Sequence, residues 1–142
     1  MSGEAVTVLA FDFGEHHIGI AVGHTLTGHA RALTDARGGR RPDWTVIDAA
    51  VNEWQPDLLV VGSPLNMDGS EQRLTQLARR FGRQLHARYQ LPTAEADERL
   101  SSVEARQRIV EQQRRRDSIH SVSAEVIFET WLEQSAHTQG RA

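Results

Sequence analysis

The sequence predicts an α/β fold in which a mixed five-stranded sheet is flanked by helices. Apolar runs separated by turn residues near the N-terminus indicate three consecutive strands that pair as an antiparallel meander. Two later segments, residues 57–62 and 91–98, alternate with stretches of helical spacing, which is typical of parallel strands joined by helices. The expected order is therefore three strands, helix, strand, helix, strand and two helices.

The first quarter of the chain supplies the meander. Residues 6–13 (VTVLAFDF) form a nearly continuous apolar run, as expected for a buried strand. Gly14 to His17 make a tight connection, and residues 18–23 (IGIAVG) then return beside the first strand as a hairpin. Residues 30–38 (ARALTDARG) indicate a third, weaker strand that ends in glycine.

The first helix and the central strand follow. Apolar residues recur at helical spacing between Trp44 and Trp54, with Asp43 suited to the helix start and Pro56 just past its end. Both tryptophans belong to this apolar stripe, so we expect them to pack in the core. Residues 57–62 (DLLVVG) are a short unbroken apolar run, as expected for a central parallel strand.

Three more helices are predicted. One runs from an N-cap at Ser70 to about residue 89, ahead of the fifth strand. The next begins at Ser101, which has the spacing of a capping box with the glutamate three residues later, and extends to about residue 116. Residues 118–134 indicate a last, amphipathic helix.

Composition limits the protein class. The chain has 142 residues, 39% of them hydrophobic, so we expect one domain over residues 1–142 with a flexible tail at 135–142. The formal net charge is −3, so the whole molecule is not a polycation. There is no cysteine, which excludes disulfides, thiolate nucleophiles and sulfur-ligated zinc sites. No signal segment or membrane-spanning run is present, and we expect a cytoplasmic protein.

Two carboxylates near strand ends indicate a site for a divalent cation. Asp12 lies within the apolar run of the first strand, and Glu98 lies near the carboxyl end of the fifth. Ligands of open α/β sheets gather at the carboxyl ends of parallel strands, so both carboxylates can converge on one patch. Two close carboxylates repel unless they share a proton or bind a cation, and oxygen ligands suit Mg²⁺ or Mn²⁺. Alternatively, Glu98 is a solvated residue that pairs with Arg99.

Three weaker signals each have two interpretations. Gly19 indicates either the close approach of another backbone, such as a substrate's sugar-phosphate chain, or a bulge. Asn66 lies beside a helix start, where phosphate can bind, although an ordinary turn and helix cap explain the same letters. Arginines are dense over residues 106–116. We interpret three of them as phosphate-binding, with a solvated helix face as the alternative: Arg114, Arg115 and Arg116.

Four segments resemble the motifs of a known family. FDFGEHHIGIAVG, VVGSPLNMDGSE, ADERLSSVEA and SVSAEVIFETWLE resemble, in this order, motifs of the YqgF/RuvX family of pre-16S rRNA nucleases, formerly called Holliday junction resolvases. The resemblance implies an RNase H-like fold related to the RuvC resolvases. It also implies metal-dependent phosphodiester hydrolysis during maturation of the 5′ end of the small-subunit rRNA precursor. The acids implied to bind Mg²⁺ or Mn²⁺ are Asp12 of the DFG motif and Glu98 of the DER motif.

Two residues depart from the family pattern. His17 stands where a basic residue is usual, and we expect His16 and His17 to face solvent rather than to bind zinc. His120 stands where the family carries its third acid. We expect His120 to complete the catalytic site, either as a ligand that favours Mn²⁺ or as a proton donor or acceptor near neutral pH. Asp117, one turn earlier, is interpreted as the helix N-cap rather than as a ligand.

The expected function is that of a metal-dependent nuclease in ribosome biogenesis. Its expected partners are precursor rRNA and ribosomal particles, with no membrane. Two alternatives stay open, namely a resolvase acting on branched DNA and a non-catalytic nucleic-acid or ribosome-binding module in which His120 marks a decayed site. ATPases related to actin and sugar kinases share the strand–Asp–Gly hairpin, but they need two domains that close on ATP. Oligomeric state and the choice between endo- and exonucleolytic cutting are not predicted.

Overall fold

The described residues form one five-stranded sheet and four helices. The computed structural model describes residues 5–64, 73–98, 101–112 and 118–139, without the side chains of residues 63–64, 97–98, 101–104, 106 and 136–139. The strands are β1 (Thr7–Phe13), β2 (His17–His24), β3 (His29–Arg37), β4 (Leu58–Pro64) and β5 (Thr93–Glu98). The helices are α1 (Trp44–Trp54), α2 (Arg73–Tyr89), α3 (Ser101–Glu111) and α4 (Ile119–Gln139).

The sheet is mixed, with the strand order β3-β2-β1-β4-β5. β2 pairs antiparallel with both β1 and β3, which gives the three-strand meander. β4 lies between β1 and β5 and runs parallel to both. The predicted fold class and the predicted order of strands and helices are therefore confirmed. The carboxyl ends of the three parallel strands lie at one edge of the sheet.

The two faces of the sheet carry different helices. Residues two apart on a strand share a face of the sheet. In β1, Leu9 and Phe11 therefore lie on one face, and Val8 and Ala10 lie on the other. Leu9 and Phe11 belong to a core cluster with residues of α1 and α2. Val8 and Ala10 belong to a second cluster with residues of α4, among them Phe128. The apolar run of the first strand is therefore explained by burial on both faces.

The helix α4 is buried on all sides along residues 121–128. One side of α4 lies on the sheet, and α3 packs on the other side. The last predicted helix is therefore confirmed, but its predicted amphipathic character is wrong over residues 121–128, because α3 packs on the side that we expected to face solvent. α4 continues through Gln139, while the flexible tail over residues 135–142 stays a prediction. In the described part of the chain no helix is long and apolar enough to cross a membrane.

A β-bulge shapes the outer strand of the meander. The pairing of β2 with β3 shifts between Ile20 and Ala21, so that Leu33 is the extra residue on β3. The next residue back, Ala32, donates its backbone amide to the carboxylate of Glu125 on α4, at 2.7 Å. The Glu125 side chain is only 6% exposed. A buried carboxylate of the last helix thus supplies the acceptor at the bulge.

The helix α1 starts after Asp43, as the sequence predicts. The carboxylate of Asp43 accepts a hydrogen bond from the Thr45 amide at 3.1 Å and caps the helix. Trp44 packs on Phe81 of α2, with ring centroids 5.7 Å apart. Trp44 and Trp54 both pack against the core cluster on this face, which confirms the predicted role of the two tryptophans.

A polar cluster joins α1 to α2. Arg88 donates two hydrogen bonds to the Asp48 carboxylate, at 2.9 and 2.7 Å, and the Tyr89 hydroxyl donates a third at 2.5 Å. The bonds from Arg88 and Tyr89 lower the pKa of Asp48 to about 2. Burial and the bond to Asp48 raise the pKa of Tyr89. The cluster therefore favours the ionised carboxylate on α1.

Candidate active site

Asp12 lies on the sheet face that carries α4. The strand period places Asp12 on the same face as Val8 and Ala10, both of which are fully buried. Asp12 itself is half-buried near the carboxyl end of β1. Since β1, β4 and β5 end at this edge, Asp12 occupies the position at which open α/β sheets bind ligands.

Asp12, Gly19 and Asp35 form a row across three neighbouring strands. Gly19 of β2 pairs with Asp12 of β1 on one side and with Asp35 of β3 on the other. Directly paired residues face the same side of a sheet, so both carboxylates are on the α4 face. Because neighbouring strands lie about 4.8 Å apart, the two aspartate backbones are separated by roughly 10 Å with β2 between them.

The first turn of α4 rests directly on Gly19. A Cβ atom at Gly19 would lie 1.9 Å from the carbonyl oxygen of His120 and 2.6 Å from the amide nitrogen of Ser121. Only a glycine admits this approach, which confirms the close-approach interpretation of Gly19. The approaching backbone is the protein's own helix and not that of a substrate. The β-bulge lies one pair further along, between Ile20 and Ala21.

Ser118 is the N-cap of α4. Its hydroxyl oxygen accepts hydrogen bonds from the amides of His120 and Ser121, each at 3.0 Å. The hydroxyl donates to the Asp35 carboxylate at 2.6 Å and so ties the helix start to β3. The prediction that Asp117 caps this helix is therefore wrong, because the cap falls one residue later; Asp117 lies outside the described residues.

The side chain of His120 lies with those of His17 and Asp35. The imidazole rings of His17 and His120 stack, with centroids 4.6 Å apart and planes 23° apart. Each of the three side chains offers one metal-ligating atom, and these atoms lie within 4.8 Å of one another. We call these three residues the His–Asp cluster. Asp12 is not a member of it.

The environment of His120 favours the neutral ring. Burial lowers the pKa of His120 from 6.5, Asp35 partly offsets this shift, and His17 adds to it. His17 is exposed, as predicted, but its ring also covers one face of His120. The surroundings of His120 therefore favour the uncharged imidazole, which is the form that accepts a proton or binds a metal ion.

For Glu98, the other predicted acid, the structure describes the backbone but not the side chain. Glu98 is the last residue of β5 and pairs in register with Pro64 of β4. Its side chain lies outside the described residues, so its convergence with Asp12 stays a prediction. The remaining predicted site residues also lie outside the described residues: Asn66, Arg114, Arg115 and Arg116.

Arg108, in the arginine-rich stretch, pairs with acids inside the protein. Its guanidinium pairs with Glu129 and lies 3.7 Å from a carboxylate oxygen of Glu125. The Arg108 side chain is 23% exposed. Arg108 therefore stabilises the packing of α3 on α4.

A groove on the opposite face of the sheet is not part of the candidate site around Asp12. It measures about 750 Å³ and lies between α2 and β5, with Arg79, Arg83 and His86 among its lining residues. Arg79 pairs with Glu95 of β5 at 3.5 Å, which offsets part of the positive charge. Since Val61 and Glu95 of the groove pair on the α2 face, the groove is separated from Asp12 by the sheet itself.

His17 and Asp35 were not predicted as site residues. The signal that could have identified them is the strand register, since His17 and Gly19 share a face of β2 and Asp35 pairs with Gly19. The sequence alone does not give the pairing register of β3 with β2, because a bulge between Ile20 and Ala21 shifts that register by one residue. The cluster therefore became visible only in the folded chain.

The chain is similar to one family over most of its length. A family model described as RuvX, Holliday junction resolvase, matches residues 6–134. The chain belongs to the RuvX family. A RuvX relative from Yersinia enterocolitica serotype O:8, named "Putative pre-16S rRNA nuclease", is 48% identical over 136 residues, which cover 92% of this chain and 96% of the relative. A protein of the same name from Yersinia pestis (strain Pestoides F) has the same identity and coverage. The predicted family resemblance is confirmed.

Solved structures of RuvC share the fold of this RuvX protein. T. thermophilus RuvC in complex with a Holliday junction substrate superimposes with a TM-score of 0.56 at 17% identity, covering 93% of this chain and 97% of that chain. A second Thermus thermophilus RuvC structure gives a TM-score of 0.56 at 12% identity. At such low identity the likeness shows the fold alone, and it confirms the predicted RNase H-like class.

Proposed function

We propose that this RuvX protein is a metal-dependent nuclease that hydrolyses phosphodiester bonds at the 5′ end of precursor 16S rRNA. The relatives named for a pre-16S rRNA nuclease support this substrate, because they match 92% of the chain at 48% identity. The observation that carries the proposal is the position of Asp12, a half-buried carboxylate at the ligand-binding edge of the sheet.

Asp12 and Glu98 are the proposed ligands of a Mg²⁺ or Mn²⁺ ion. Their donor atoms are carboxylate oxygens, which these hard cations prefer. Asp12 is only half-buried, so its carboxylate can meet both an ion and a phosphate that arrives from solvent. When bound, the ion supplies charge neutralisation at the scissile phosphate and a more acidic water. Asp12 contributes a fixed position, since its strand is paired on both sides.

His120 is the proposed third catalytic residue. Its neutral imidazole can accept a proton from the attacking water and return it to the leaving oxygen, or act as a further ligand that favours Mn²⁺ over Mg²⁺. The contact with Gly19 fixes the His120 backbone on the strand next to that of Asp12. A histidine in this role would make cleavage decline as the pH falls through the pKa of His120.

The proposed nucleic-acid contacts involve Arg114, Arg115, Arg116 and Asn66, which would bind backbone phosphates rather than bases. Such contacts bind nucleic acids of many sequences with similar affinity, and this affinity falls as the salt concentration rises. We further propose that residues 1–142 form a single domain that acts in the cytoplasm on precursor rRNA or on ribosomal particles that contain it. A non-catalytic binding module is the alternative if no substrate is cleaved.

The test compares cleavage by wild type, Asp12→Asn and Asp57→Asn. The substrates are precursor 16S rRNA, single-stranded RNA and a four-way DNA junction, each with Mg²⁺, Mn²⁺ or a chelator. We expect Asp12→Asn to lower the cleavage rate by at least about a hundredfold while circular dichroism and the unfolding midpoint stay unchanged. Asp57→Asn is the matched control, since Asp57 accepts a hydrogen bond from Thr7 at the other end of β1.

The outcomes separate the functions. Wild-type turnover in Asp12→Asn would show that Asp12 is not catalytic. Faster cleavage of the four-way junction than of either RNA would favour the resolvase activity, which the family description and the RuvC fold support as a second candidate. Binding of precursor rRNA without cleavage of any substrate would favour the non-catalytic module.

A further inference from the structure

We propose that the His–Asp cluster, formed by His17, Asp35 and His120, binds one divalent transition-metal ion, with Zn²⁺ as the expected ion. This position shares His120 with the proposed catalytic residues, but it is distinct from the position proposed for Mg²⁺ or Mn²⁺ at Asp12 and Glu98, because Asp12 is not among the clustered ligands. It stands without the proposed nuclease activity, because it rests on side chains that the structure brings together.

The geometry of the cluster follows from the sheet register. His17 and Gly19 lie two residues apart on β2 and share the α4 face, and Asp35 pairs with Gly19 from β3. The backbone of His120 rests on Gly19, so its ring reaches the same patch from above the sheet. The three ligating atoms then lie within 4.8 Å of one another. A tetrahedral ion at ~2.1 Å from each ligand needs these atoms about 3.4 Å apart, a contraction that side-chain rotation can supply.

The donor set selects the kind of ion. Two imidazole nitrogens and one carboxylate oxygen suit Zn²⁺ and similar borderline metals, whereas Mg²⁺ prefers oxygen ligands alone. Three protein ligands leave a fourth tetrahedral position for water or a ligand. Because His17 is exposed, that position has access to solvent.

Two neighbouring contacts prepare the cluster for an ion. The Ser118 hydroxyl donates to the Asp35 carboxylate at 2.6 Å and fixes its orientation, as outer-shell hydrogen bonds do for metal-ligating carboxylates. The stacking of the His17 and His120 rings, with centroids 4.6 Å apart, already holds the two imidazoles side by side. On binding an ion, the two rings have to rotate out of this stack, so that their nitrogen lone pairs, which lie in the ring planes, converge on one point.

Metal binding to the untagged full-length chain tests the proposal. Isothermal titration with Zn²⁺ and the visible absorption of bound Co²⁺ report affinity and stoichiometry without any activity assay. We expect one ion per chain in this site, and an affinity at least about tenfold lower in His17→Gln and in Asp35→Asn. An excess of Mg²⁺ should not displace the ion. Asn at position 35 keeps an oxygen acceptor for Ser118, and circular dichroism checks that both variants fold.

Two histidine variants serve as matched controls. His16→Gln removes an exposed histidine next to the cluster, and His24→Gln removes one of the two histidines that pair at the other end of β2 and β3. Both should bind Zn²⁺ as tightly as wild type. Equal loss in a control variant, or wild-type affinity in both His17→Gln and Asp35→Asn, would overturn the proposal.

A further variant distinguishes this site from the proposed catalytic one. Asp12→Asn should lose cleavage and keep wild-type Zn²⁺ affinity. If Asp12→Asn instead loses Zn²⁺ as His17→Gln does, the ion belongs to the Asp12 position and a separate site is wrong. If wild type binds Zn²⁺ at the cluster but cleaves no substrate, the proposed function fails while the metal site stands.

Discussion

Gly19→Ala is the sharpest test of how α4 sits on the sheet. The added Cβ atom would lie 1.9 Å from the carbonyl oxygen of His120. An ordinary contact with carbon is about 3.5 Å, so the first turn of α4 has to retreat by roughly 1.5 Å. Overpacking costs 1–3 kcal/mol, and because both sides here are backbone we expect the upper end, about 3 kcal/mol. The same retreat would stretch the hydrogen bond from Ser118 to Asp35 and pull His120 away from His17.

Urea unfolding and thermal unfolding measure this cost. A loss of about 3 kcal/mol corresponds to a midpoint roughly 10 °C lower for a chain of this size. Gly82→Ala is the matched control, since Gly82 lies inside α2 and, among the residues that the structure describes, an added Cβ would meet only side-chain atoms of Thr93 and Val61, at 3.9 Å. That substitution removes a helix-interior glycine and should stabilise the protein by about 0.5–1 kcal/mol.

The outcome that would refute this reasoning is a Gly19→Ala protein as stable as wild type. It would mean that α4 does not rest on β2 at this point. The placement of His120 beside His17 and Asp35 would then lose its basis, and the metal site proposed for these residues would lose it as well.

Three further predictions concern stability. Glu125 accepts the Ala32 amide and pairs with Arg108, so Glu125→Ala should cost about 3 kcal/mol in urea unfolding, and Glu125→Gln clearly less. Folding lowers the pKa of His120 from 6.5, so the stability that its neutral ring contributes is present above pH 6.5 and is lost as the pH falls through the folded pKa. In a series of unfolding midpoints measured against pH, His120→Gln should therefore flatten the decline below pH 6.5. Folding lowers the pKa of Asp48 from 3.8 to about 2, so the stability that its carboxylate contributes is present above pH 3.8 and is lost toward pH 2. Asp48→Asn should therefore flatten the decline of the unfolding midpoint in this acid range.

Each of these three predictions has an outcome that contradicts it. Equal losses in Glu125→Ala and Glu125→Gln would show that the charge of Glu125, and not its shape and hydrogen bond, stabilises the fold. An unchanged slope below pH 6.5 in His120→Gln would contradict the lowered pKa of that ring. An unchanged acid limb in Asp48→Asn would show that the bonds from Arg88 and Tyr89 do not persist in solution.

The order of the elements could be predicted because the signals are local. Residues 6–13 and 57–62 are apolar runs flanked by turn residues, and they form β1 and β4. Asp43 caps α1 through the amide two residues ahead, a contact that requires no tertiary structure. The placement of Asp12 near a strand end follows from the same local pattern.

The positions of His17 and Asp35 beside His120 could not be predicted, because they depend on contacts between distant residues. Ser118 and Asp35, which join α4 to β3, are 83 residues apart in the chain. The bulge between Ile20 and Ala21 decides which residues of β3 face α4, and no local signal marks it. The burial of α4 on all sides likewise depends on α3, which covers the face that its sequence pattern leaves to solvent.

The position of α4 after all five strands in the sequence has a consequence for synthesis. α4 lies against all five strands, so the sheet face that includes Val8 and Ala10 stays uncovered until residues 121–128 have been made. Contacts of such long sequence separation form slowly, and they form only when both partners exist. A shortened chain that ends before Phe128 would therefore leave the second core cluster incomplete, and the missing residues are not a dispensable tail. His120 reaches the sheet at the same late moment, so a chain still in translation has no complete His–Asp cluster.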